Sequence, residues 1–557
     1  MKKILLLTFL MAVSFILTAQ VAPNKYYIQF TDKNDSPYSI DNPVEFLTQR
    51  AVDRRSKYDI PVTVKDLPVN PQYLAGVADV GVEILNPTKW LNGVTVFTDD
   101  PALIDDVLAL PYVANVRDIT NKSGKLLEDK PFFKDESVVE SSYTFPFKAT
   151  SLFDYGNSSN QIEMINGIPL HEAGYRGQGV AIAVLDAGFY GTDTHEAFDS
   201  LRTNNQILGT KDFVDLSNTV YDYSTHGTSV LSTMGGNYPG QLIGTAPKAD
   251  FWLLRTEESV GGGPENIVEE YNWVSGAEFA DSVGADLINS SLGYTTFDDP
   301  SQNHTYEDLD GNTTPAAIGA DVAASRGIIV VNSAGNSGNS SWYYVGTPAD
   351  GDSVFSIGAV DPNGNIAGFS SHGPTADGRI KPNVVAQGAP AYLASAFGGF
   401  GNGNGTSFSS PIICGMTACF LQAVPNLTNI EIMTALQESA DNADDPDNDY
   451  GWGIPDYQAA LGAVTQIAEN GNESNKLSVF PVPVEEYIYF KINDTNISDF
   501  TAQLIDQTGR VFFQRNYTNH FFKTYRIDEA VNKLTPGIYF IRVISDQAIL
   551  QKKFLKK

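Results

Sequence analysis

Cysteine is almost absent from this 557-residue chain, which contains only two, Cys414 and Cys419. They lie in an apolar stretch that predicts a helix, so their side chains point about 140° apart around the helix axis. A disulfide requires two Cβ atoms that approach and face each other. The spacing therefore predicts that these cysteines do not bridge each other, and we expect both to be small buried residues.

Positive charge is also scarce. The chain has 36 lysines and arginines against 66 aspartates and glutamates, which gives a net charge of −30. This balance argues against nucleic acid and anionic membrane surfaces as partners, because both repel an acidic protein. The apolar content of 42% is enough for a sizeable core, and the length allows several domains.

The apolar run at the N-terminus is short. It covers residues 4–17 behind Lys2 and Lys3, whereas a membrane-spanning helix needs about 20 apolar residues. A charged start followed by such a run predicts a secretory signal peptide over residues 1–20, with cleavage near Ala19 or Gln20. No cysteine follows at that point, so we do not expect a lipid anchor. An uncleaved membrane anchor is the alternative.

Histidine occurs six times, and one of the six belongs to a set of three motifs. His226 lies in Ser-Thr-His-Gly-Thr-Ser, Asp186 in Val-Leu-Asp-Ala-Gly, and Ser407 in Gly-Thr-Ser-Phe-Ser-Ser-Pro. A serine hydroxyl needs a base to become a nucleophile, an imidazole has a suitable pKa, and a carboxylate fixes the imidazole tautomer. Each motif alone is typical of a turn or a cap, but together they predict a nucleophile, a base and an orienting acid.

The surroundings of the three residues suit these roles. The apolar run 180–185 predicts a buried strand that ends at Asp186, and parallel sheets present functional groups at such ends. His226 opens a stretch that predicts a helix. Ser407 precedes an apolar helical stretch, and we expect Pro411 in the first turn of that helix. Ser407 is then predicted to lie at a helix N-terminus, where backbone N–H groups lack helical partners.

A fourth polar residue follows another buried-strand pattern. The apolar run 327–332 is followed by Ser-Ala-Gly-Asn, which ends at Asn336. The side-chain amide of Asn336 and the backbone N–H of Ser407 are two donors that can stabilise the oxyanion of an acyl-transfer reaction.

On these motifs the chain resembles the subtilisin family of serine proteases, the subtilases. The order Asp, His, Ser is that of subtilisin, and it differs from the order and the G-x-S-x-G motif of the α/β-hydrolases. The resemblance covers roughly residues 161–464. It implies that Asp186, His226 and Ser407 are catalytic with Asn336, and that Ser291, Leu292 and Gly293 form a substrate-binding strand.

The resemblance also implies a fold. We expect an α/β peptidase domain over residues 156–468, with a parallel sheet and helices on both faces. The alternation of strand and helix patterns favours the same architecture. The predicted strands are 180–185, 250–254, 286–290, 327–332 and 354–360.

Two acidic loops, residues 294–315 and 441–449, contain the oxygen ligands that Ca²⁺ prefers, and subtilases often bind Ca²⁺ for stability. Neither loop matches a defined calcium motif, so a solvated acidic turn is the alternative. We assign no metal ligands, and the chemistry itself needs no cofactor.

Residues 21–155 predict a small α+β unit followed by a linker. The unit is similar to the inhibitory pro-region of subtilases, and the polar stretch 121–160 predicts an exposed linker where self-cleavage occurs. A permanent N-terminal domain is the alternative. The predicted strands are 25–30, 91–97 and 112–117, and the predicted helices are 43–58 and 101–110.

Residues 474–557 predict a β-sandwich, because short strands recur at regular spacing. The segment resembles the C-terminal sorting domain of the type IX secretion system, although Val482 stands where that family usually has Asn. The resemblance implies recognition by the secretion machinery and passage across the outer membrane. An accessory binding sandwich is the alternative.

These observations predict a secreted serine endopeptidase that is made as a zymogen and acts on proteins or peptides through an acyl-enzyme. We expect a monomer that is released or held at the cell surface after export. The alternative from another class is a catalytically inactive secreted binding module on a subtilase fold.

Overall fold

The computed structural model describes residues 24–122, 151–259, 265–469 and most of 477–557. In the last stretch it leaves out 481–483, 485–486, 493–496, 498, 507–509, 519–523, 529 and 546–548. The predicted signal segment 1–20 and the linker residues 123–150 lie outside the described residues. The chain forms two compact units, Met1–Ala460 and Leu461–Lys557. No helix in the part of the chain that the structure describes is long and apolar enough to cross a bilayer.

The N-terminal part of the first unit is an α+β layer, as predicted. Its sheet is antiparallel with the order β2-β3-β1-β4. The predicted helix over 43–58 is shorter, because Thr48 caps it at its start by accepting a hydrogen bond from the N–H of Ala51. The elements are β1 (Lys25–Phe30), α1 (Gln49–Lys57), α2 (Pro71–Asp79), β2 (Glu83–Thr88), β3 (Gly93–Phe97), α3 (Leu103–Leu108) and β4 (Val113–Asp118).

The rest of the first unit contains a seven-stranded sheet with the order β13-β12-β11-β10-β5-β9-β6, and its paired strands run parallel. The five predicted strands are present, and the two edge strands β6 and β13 were missed. The strands are β5 (Ala181–Asp186), β6 (Ile207–Asp212), β7 (Asn237–Tyr238), β8 (Leu242–Ile243), β9 (Asp250–Arg255), β10 (Leu287–Ser290), β11 (Ile329–Ser333), β12 (Val354–Val360), β13 (Val384–Gln387), β14 (Ala391–Ala394) and β15 (Phe400–Gly403).

Helices cover this sheet in two groups. α8 packs against α9, and α10 packs against α7, while both groups contact the sheet strands. This is the α/β architecture that the alternating patterns predicted. The helices are α4 (Ser159–Glu163), α5 (Ile168–Glu172), α6 (Asp199–Thr203), α7 (His226–Gly235), α8 (Val268–Val283), α9 (Pro315–Ser325), α10 (Thr406–Ala423), α11 (Asn429–Glu438) and α12 (Tyr457–Glu469). Cys414 and Cys419 lie in α10, and both are buried and unbridged.

The register of the central strands brings four segments to one edge of the sheet. Asp186 pairs with Arg255 across β5 and β9, Ser290 of β10 pairs with Leu185, and Ser290 also pairs with Asn332 of β11. Because parallel strands end at the same edge, the residues that follow β5, β10 and β11 meet there.

The second unit contains two antiparallel sheets, of the orders β16-β17-β20 and β19-β18-β21-β22. A core of aromatic and aliphatic side chains, including Phe490, Phe500 and Tyr525, is buried in it. The strand-rich fold agrees with the predicted sandwich. The strands are β16 (Leu477–Phe480), β17 (Ile488–Ile492), β18 (Phe500–Asp506), β19 (Val511–Tyr517), β20 (Thr524–Ile527), β21 (Gly537–Ile544) and β22 (Ile549–Lys556).

Candidate active site

Asp186 ends the central strand β5 and is fully buried. Its Oδ1 accepts a hydrogen bond from the backbone N–H of Ala187 at 2.7 Å and lies 2.8 Å from Nδ1 of His226. The backbone bond holds the carboxylate in place at the strand end. The imidazole is therefore oriented by a carboxylate that is itself fixed by the sheet.

His226 is the first residue of α7, and its position depends on close packing of the next residue. The N–H of Gly227 donates to the carbonyl of Gly188 at 3.1 Å. A Cβ atom added to Gly227 would lie 2.4 Å from that same oxygen. Only glycine permits this approach, so Gly227 lets the helix carrying His226 meet the loop that follows Asp186.

Ser407 is the second residue of α10 and is fully buried. Its Oγ donates to the carbonyl of Ser291 at 3.4 Å, and its own carbonyl accepts from Ser291 Oγ at 2.9 Å. The ring of Phe408, the next residue, lies 6.1 Å from the imidazole of His226 between centroids. The structure thus places Ser407 beside the predicted substrate strand and at the start of the helix that faces His226.

Pro411 is not in the first turn of this helix, as the sequence had suggested, because α10 begins at Thr406 and Pro411 lies inside it. A proline has no N–H, so it cannot donate to the carbonyl four residues earlier, which is that of Ser407. The hydroxyl of Ser291 donates to that carbonyl instead. The carbonyl that Pro411 leaves without a helical donor thus bonds Ser291, which connects the start of α10 to the segment after β10.

Asn336 is oriented by Thr406, the residue before Ser407. Its Oδ1 accepts from both the N–H and the Oγ1 of Thr406, each at 2.9 Å. Two donors at one atom identify that atom as the carbonyl oxygen of the side chain, so the amide nitrogen points the other way. Thr406 Oγ1 also accepts from the N–H of Gly335 at 3.1 Å, which anchors the loop on either side.

The predicted substrate strand directly follows β10. Ser291 contacts Ser407 as described, and the carbonyl of Leu292 accepts from the side-chain amide of Asn332 at 3.0 Å. Gly293 lines a narrow cleft of about 10 Å³ together with Gly335 and Ser337, the neighbours of Asn336. The structure therefore brings all seven predicted site residues to the same edge of the sheet.

Arg255 is a buried charged residue next to the site that the sequence patterns did not predict. It ends β9 beside Asp186 and is fully buried. Its guanidinium bonds Asp212 at 3.0 Å and Asp215 at 2.8 Å, and it stacks 3.6 Å from the ring of Tyr223. Burial alone lowers the pKa of Arg255, but the carboxylates outweigh it and raise the pKa. A lone arginine at the end of an apolar strand was the available signal.

Some carboxylates of the two predicted calcium loops are engaged within their own turns, whereas Asp449 contacts Nδ1 of His372 at 2.7 Å, outside its loop. Asp308 accepts from the N–H of Thr305 at 2.7 Å, and Asp447 accepts from the N–H groups of Asp449 and Tyr450 at 2.8 and 2.7 Å. This is the pattern of the solvated-turn alternative. Among the described residues, one set of three acidic side chains converges within 4.8 Å, and it lies in neither loop.

The α+β layer docks on α8 through buried ions. The carboxylate of Asp281 bonds Arg54 at 2.6 Å, Arg55 at 2.7 Å and Lys89 at 3.1 Å. Burial raises the pKa of Asp281, but the three cations outweigh it and lower the pKa to about 2. The last described residues of the layer reach the loop after β10, since the N–H of Lys122 donates to Asp299 at 3.1 Å.

A second carboxylate of α8 binds backbone instead of side chains. Glu278 accepts from the N–H of Lys89 at 2.7 Å and from the N–H of Trp90 at 2.8 Å. Burial raises its pKa to about 7, although Lys89 opposes that effect. Nearby, the rings of Tyr27 and Tyr271 stack with centroids 4.2 Å apart.

Comparison with known proteins matches three segments of the chain to family models. Residues 177–453 match a model described as the subtilase family. Residues 25–130 match the peptidase S8 propeptide domain of Bacteroidota, and residues 478–557 match a secretion system C-terminal sorting domain.

Individual relatives agree with the family matches. The chain is 32% identical over 303 residues to Subtilisin E of Bacillus subtilis (strain 168), which covers 54% of this chain and 70% of the relative. It is 32% identical over 303 residues to Subtilisin DY of Bacillus licheniformis, covering 53% and 97%. It is 30% identical over 300 residues to M-protease of Shouchella clausii (strain KSM-K16), covering 54% and 68%.

Proposed function

The chain belongs to the subtilase family, and from that premise we propose that Asp186, His226 and Ser407 are its catalytic triad. The protein is a secreted serine-type endopeptidase that is made as a zymogen and carries a type IX sorting domain. The observation that carries the assignment of the triad is the 2.8 Å contact between His226 Nδ1 and Asp186 Oδ1 at the sheet edge that also holds Ser407.

In the mechanism we propose, the Oγ of Ser407 attacks the scissile carbonyl carbon while Nε2 of His226 takes its proton. Asp186 stabilises the imidazolium and holds the tautomer that presents Nε2 to the serine. His226 then protonates the leaving amine, and the peptide bond breaks to give an acyl-enzyme. Water, deprotonated by the same imidazole, attacks the ester and restores Ser407.

The oxyanion is held by two donors in this proposal. Thr406 fixes the orientation of the Asn336 side chain, which supports its amide nitrogen as one donor. The backbone N–H of Ser407, at the start of α10, is the other, because the first N–H groups of a helix have no helical acceptor. Both donors are held before the reaction, so little reorganisation is needed in the transition state.

The substrate backbone pairs with Ser291, Leu292 and Gly293 as an added strand in this proposal. The three residues extend β10 beyond its last paired position, and their side of the cleft adjoins Ser407. Main-chain hydrogen bonds along such an edge give affinity that does not depend on the substrate sequence.

The triad assignment is tested by replacing Ser407. Ser407→Ala is expected to abolish cleavage of a protein substrate and to leave the pro-region attached, while Ser409→Ala in the same helix retains both activities. Ser409 Oγ donates to the carbonyl of Thr406 at 3.1 Å, so its loss removes one local hydrogen bond. A serine-directed phosphonate should label the wild type and not the Ser407→Ala chain. Normal processing of Ser407→Ala would contradict the proposal, and an unlabelled wild type would favour an inactive binding module.

We further propose the division of the chain into a signal peptide (1–20), a pro-region with linker (21–155), a peptidase domain (156–468) and a sorting domain (474–557). Each family match falls inside one of these segments. The compact units divide between Ala460 and Leu461, a few residues before the proposed end of the peptidase domain. The sorting domain supports delivery by the type IX machinery to the outside of the cell. N-terminal sequencing and mass measurement of the secreted enzyme test the boundaries.

The remaining proposals concern partners and ions. We propose a monomer that acts on protein or peptide substrates and binds no nucleic acid, in keeping with its net charge of −30. A structural Ca²⁺ stays a prediction for the loops 294–315 and 441–449. Some of their carboxylates, such as those of Asp308 and Asp447, bond within their own turns, and we derive no catalytic step from an ion. A fall in the unfolding temperature on chelation would support it.

A further inference from the structure

Asn336 lies in a loop that folds around another part of the chain. The Asn336 loop, residues 334–345, follows β11, and the other part is the segment of residues 369–372. The two are in backbone contact near the start of the loop, because the N–H of Gly338 donates to the carbonyl of Phe369 at 2.8 Å.

Backbone hydrogen bonds also join the segment to the end of the loop. The N–H of His372 donates to the carbonyl of Tyr343 at 3.1 Å, and the carbonyl of His372 accepts from the N–H of Val345 at 2.9 Å. The loop is thus bonded to the segment on both sides of its tip. The position of Asn336 therefore depends on this segment as well as on the strand that precedes the loop.

Ser371, within this segment, bonds the residues on either side of Asn336. Its backbone N–H donates to the carbonyl of Gly335 at 2.9 Å, and its Oγ accepts from the N–H of Ser337 at 3.0 Å. Ser371 is 1% exposed, so water has little access to its hydroxyl. Two bonds from one residue therefore hold the backbone immediately before and immediately after Asn336.

Gly335 connects this arrangement to the nucleophile. Its N–H donates to Oγ1 of Thr406 at 3.1 Å, while its carbonyl accepts from Ser371. Thr406 directly precedes Ser407 at the start of α10. The loop that carries the proposed oxyanion donor is therefore held between the helix of the nucleophile on one side and Ser371 on the other.

Thr406 and Ser371 support different parts of Asn336. Thr406 donates to Oδ1 and so sets the rotation of the side-chain amide. Ser371 bonds the flanking residues and so sets the backbone position from which that side chain extends. Both matter for an oxyanion donor, because a misplacement of about 1 Å can lower a rate by about 10²-fold.

Contacts outside the Asn336 loop hold the segment itself. Nδ1 of His372 lies 2.7 Å from Oδ1 of Asp449. The N–H of Gly373, the next residue, donates to the carbonyl of Asn448 at 2.9 Å. The segment is therefore anchored to the loop 441–449, and Ser371 can hold the backbone beside Asn336 in place.

We propose that Ser371 is a positioning residue for the oxyanion donor, which acts on the reaction through Asn336 and not by contact with the substrate. This inference rests on the proposed function, because it takes the amide of Asn336 as that donor. The hydroxyl of Ser371 can be removed while its backbone bond to Gly335 stays. Ser337 then loses the acceptor of its N–H, and Asn336 is held on one side only.

The experiment compares Ser371→Ala with Ser370→Ala in the mature enzyme. Ser370 is a matched control, because it is adjacent, fully buried and also accepts one backbone N–H, that of Ala359 in β12 at 3.0 Å. Ser371→Ala should lower kcat about tenfold and change KM less than about twofold. Ser370→Ala should lower the unfolding temperature by a similar amount and keep kcat within about twofold of the wild type.

A double-mutant cycle with Asn336→Ala tests whether Ser371 acts through Asn336. In the Asn336→Ala background, Ser371→Ala should lower kcat less than about twofold further, because the donor that it positions is absent. Rates are expressed per Ser407 that reacts with the phosphonate, so a poorly folded variant does not imitate a loss of kcat.

Four results would overturn the proposal: an unchanged kcat in Ser371→Ala, equal losses of kcat in Ser370→Ala and Ser371→Ala, a rise in KM at constant kcat, and a further tenfold loss in the Asn336→Ala background. The third would make Ser371 a substrate contact, and the fourth would give it a role independent of Asn336. Failure of the proposed function is distinct, because Asn336→Ala would then keep the full kcat or Ser407 would not be labelled.

Discussion

Buried carboxylates occur in two regions of the first unit, and they differ in where their partners come from. Asp186 bonds Ala187 and His226, which belong to the same domain. Asp281 and Glu278 bond only pro-region groups among the partners described above. The first kind of site survives maturation intact. The second kind of site loses its partners when the pro-region leaves. Its carboxylates are therefore paired in the zymogen and unpaired with these groups in the mature enzyme.

The largest expected effect separates the two regions. Asp186→Asn should lower kcat by about 10⁴-fold, because the amide favours the wrong imidazole tautomer. Docking of the pro-region should not change, since Asp186 does not contact it. The measurements are kcat on a peptide substrate and the unfolding temperature of the chain with its pro-region attached. A large loss of docking would show that the two regions are not independent.

The reverse experiment removes the charge of Asp281. In the Ser407→Ala background, where the pro-region stays attached, Asp281→Asn should destabilise the docked state by about 3–5 kcal/mol. Arg54 and Lys89 lose their buried counter-charge, and their desolvation is then uncompensated, whereas Arg55 keeps its ion pair with Asp66 at 3.0 Å. Denaturant unfolding measures the effect. Asp310→Asn, in an exposed turn, is the control, and an equal change in both variants would contradict the assignment.

The next prediction concerns Asn336, in the site whose hydrogen-bond partners remain after the pro-region leaves. Asn336→Ala should lower kcat by about 10²–10³-fold with little change in KM, because its amide acts on the transition state. Thr406→Val keeps that amide and removes one of the two bonds that orient it, so a loss of about tenfold or less is expected. A rise in KM at constant kcat would assign Asn336 to substrate binding instead.

The smallest expected effect is the pH dependence of the free energy of unfolding that arises from Glu278, in the contact between the pro-region and α8. Burial raises the pKa of Glu278 to about 7 from an ordinary 4.5. Between these values the folded state holds a proton that the unfolded chain has released, so stability falls as pH rises through this window. Asp281 has a lowered pKa, and its contribution is lost only as pH falls below 3.8 toward about 2.

The Ser407→Ala chain should therefore have a free energy of unfolding that decreases from about pH 5 to pH 7. Glu278→Gln, which cannot titrate, should flatten that slope. A slope of the opposite sign in the unmodified chain would show that the two backbone N–H donors to Glu278 outweigh its burial.

The sequence was sufficient for those parts of the molecule that short motifs encode. Val-Leu-Asp-Ala-Gly predicted a strand end at Asp186 because an apolar run stops at a polar residue, and the structure has β5 ending there. The edge strand β6 was missed because Ile207–Asp212 mixes polar and apolar residues. Pro411 was misplaced because the hydrophobic pattern of α10 starts later than its hydrogen bonds.

Contacts between distant segments were beyond the sequence. Arg54 and Asp281 are 227 positions apart, and neither lies in a motif that names the other. Arg255 could have been noticed as a charge at the end of a buried strand, but its partner Asp212 ends the neighbouring strand β6 and its partner Asp215 lies in the loop that follows. Such ion networks depend on the completed fold, whereas the triad motifs depend on local backbone geometry.

The contact between Glu278 and the backbone at Lys89 and Trp90 bears on how the pro-region and the enzyme change together over evolution. The carboxylate of Glu278 contacts the pro-region through two main-chain N–H groups, those of Lys89 and Trp90. Any residue other than proline supplies them, so mutations at positions 89 and 90 leave this contact in place. Asp281 instead bonds the side chains of pro-region residues. A substitution of one of those cations therefore requires a compensating substitution at Asp281. Mismatched pairs of pro-region and enzyme are thus distinguished at Asp281 and tolerated at Glu278.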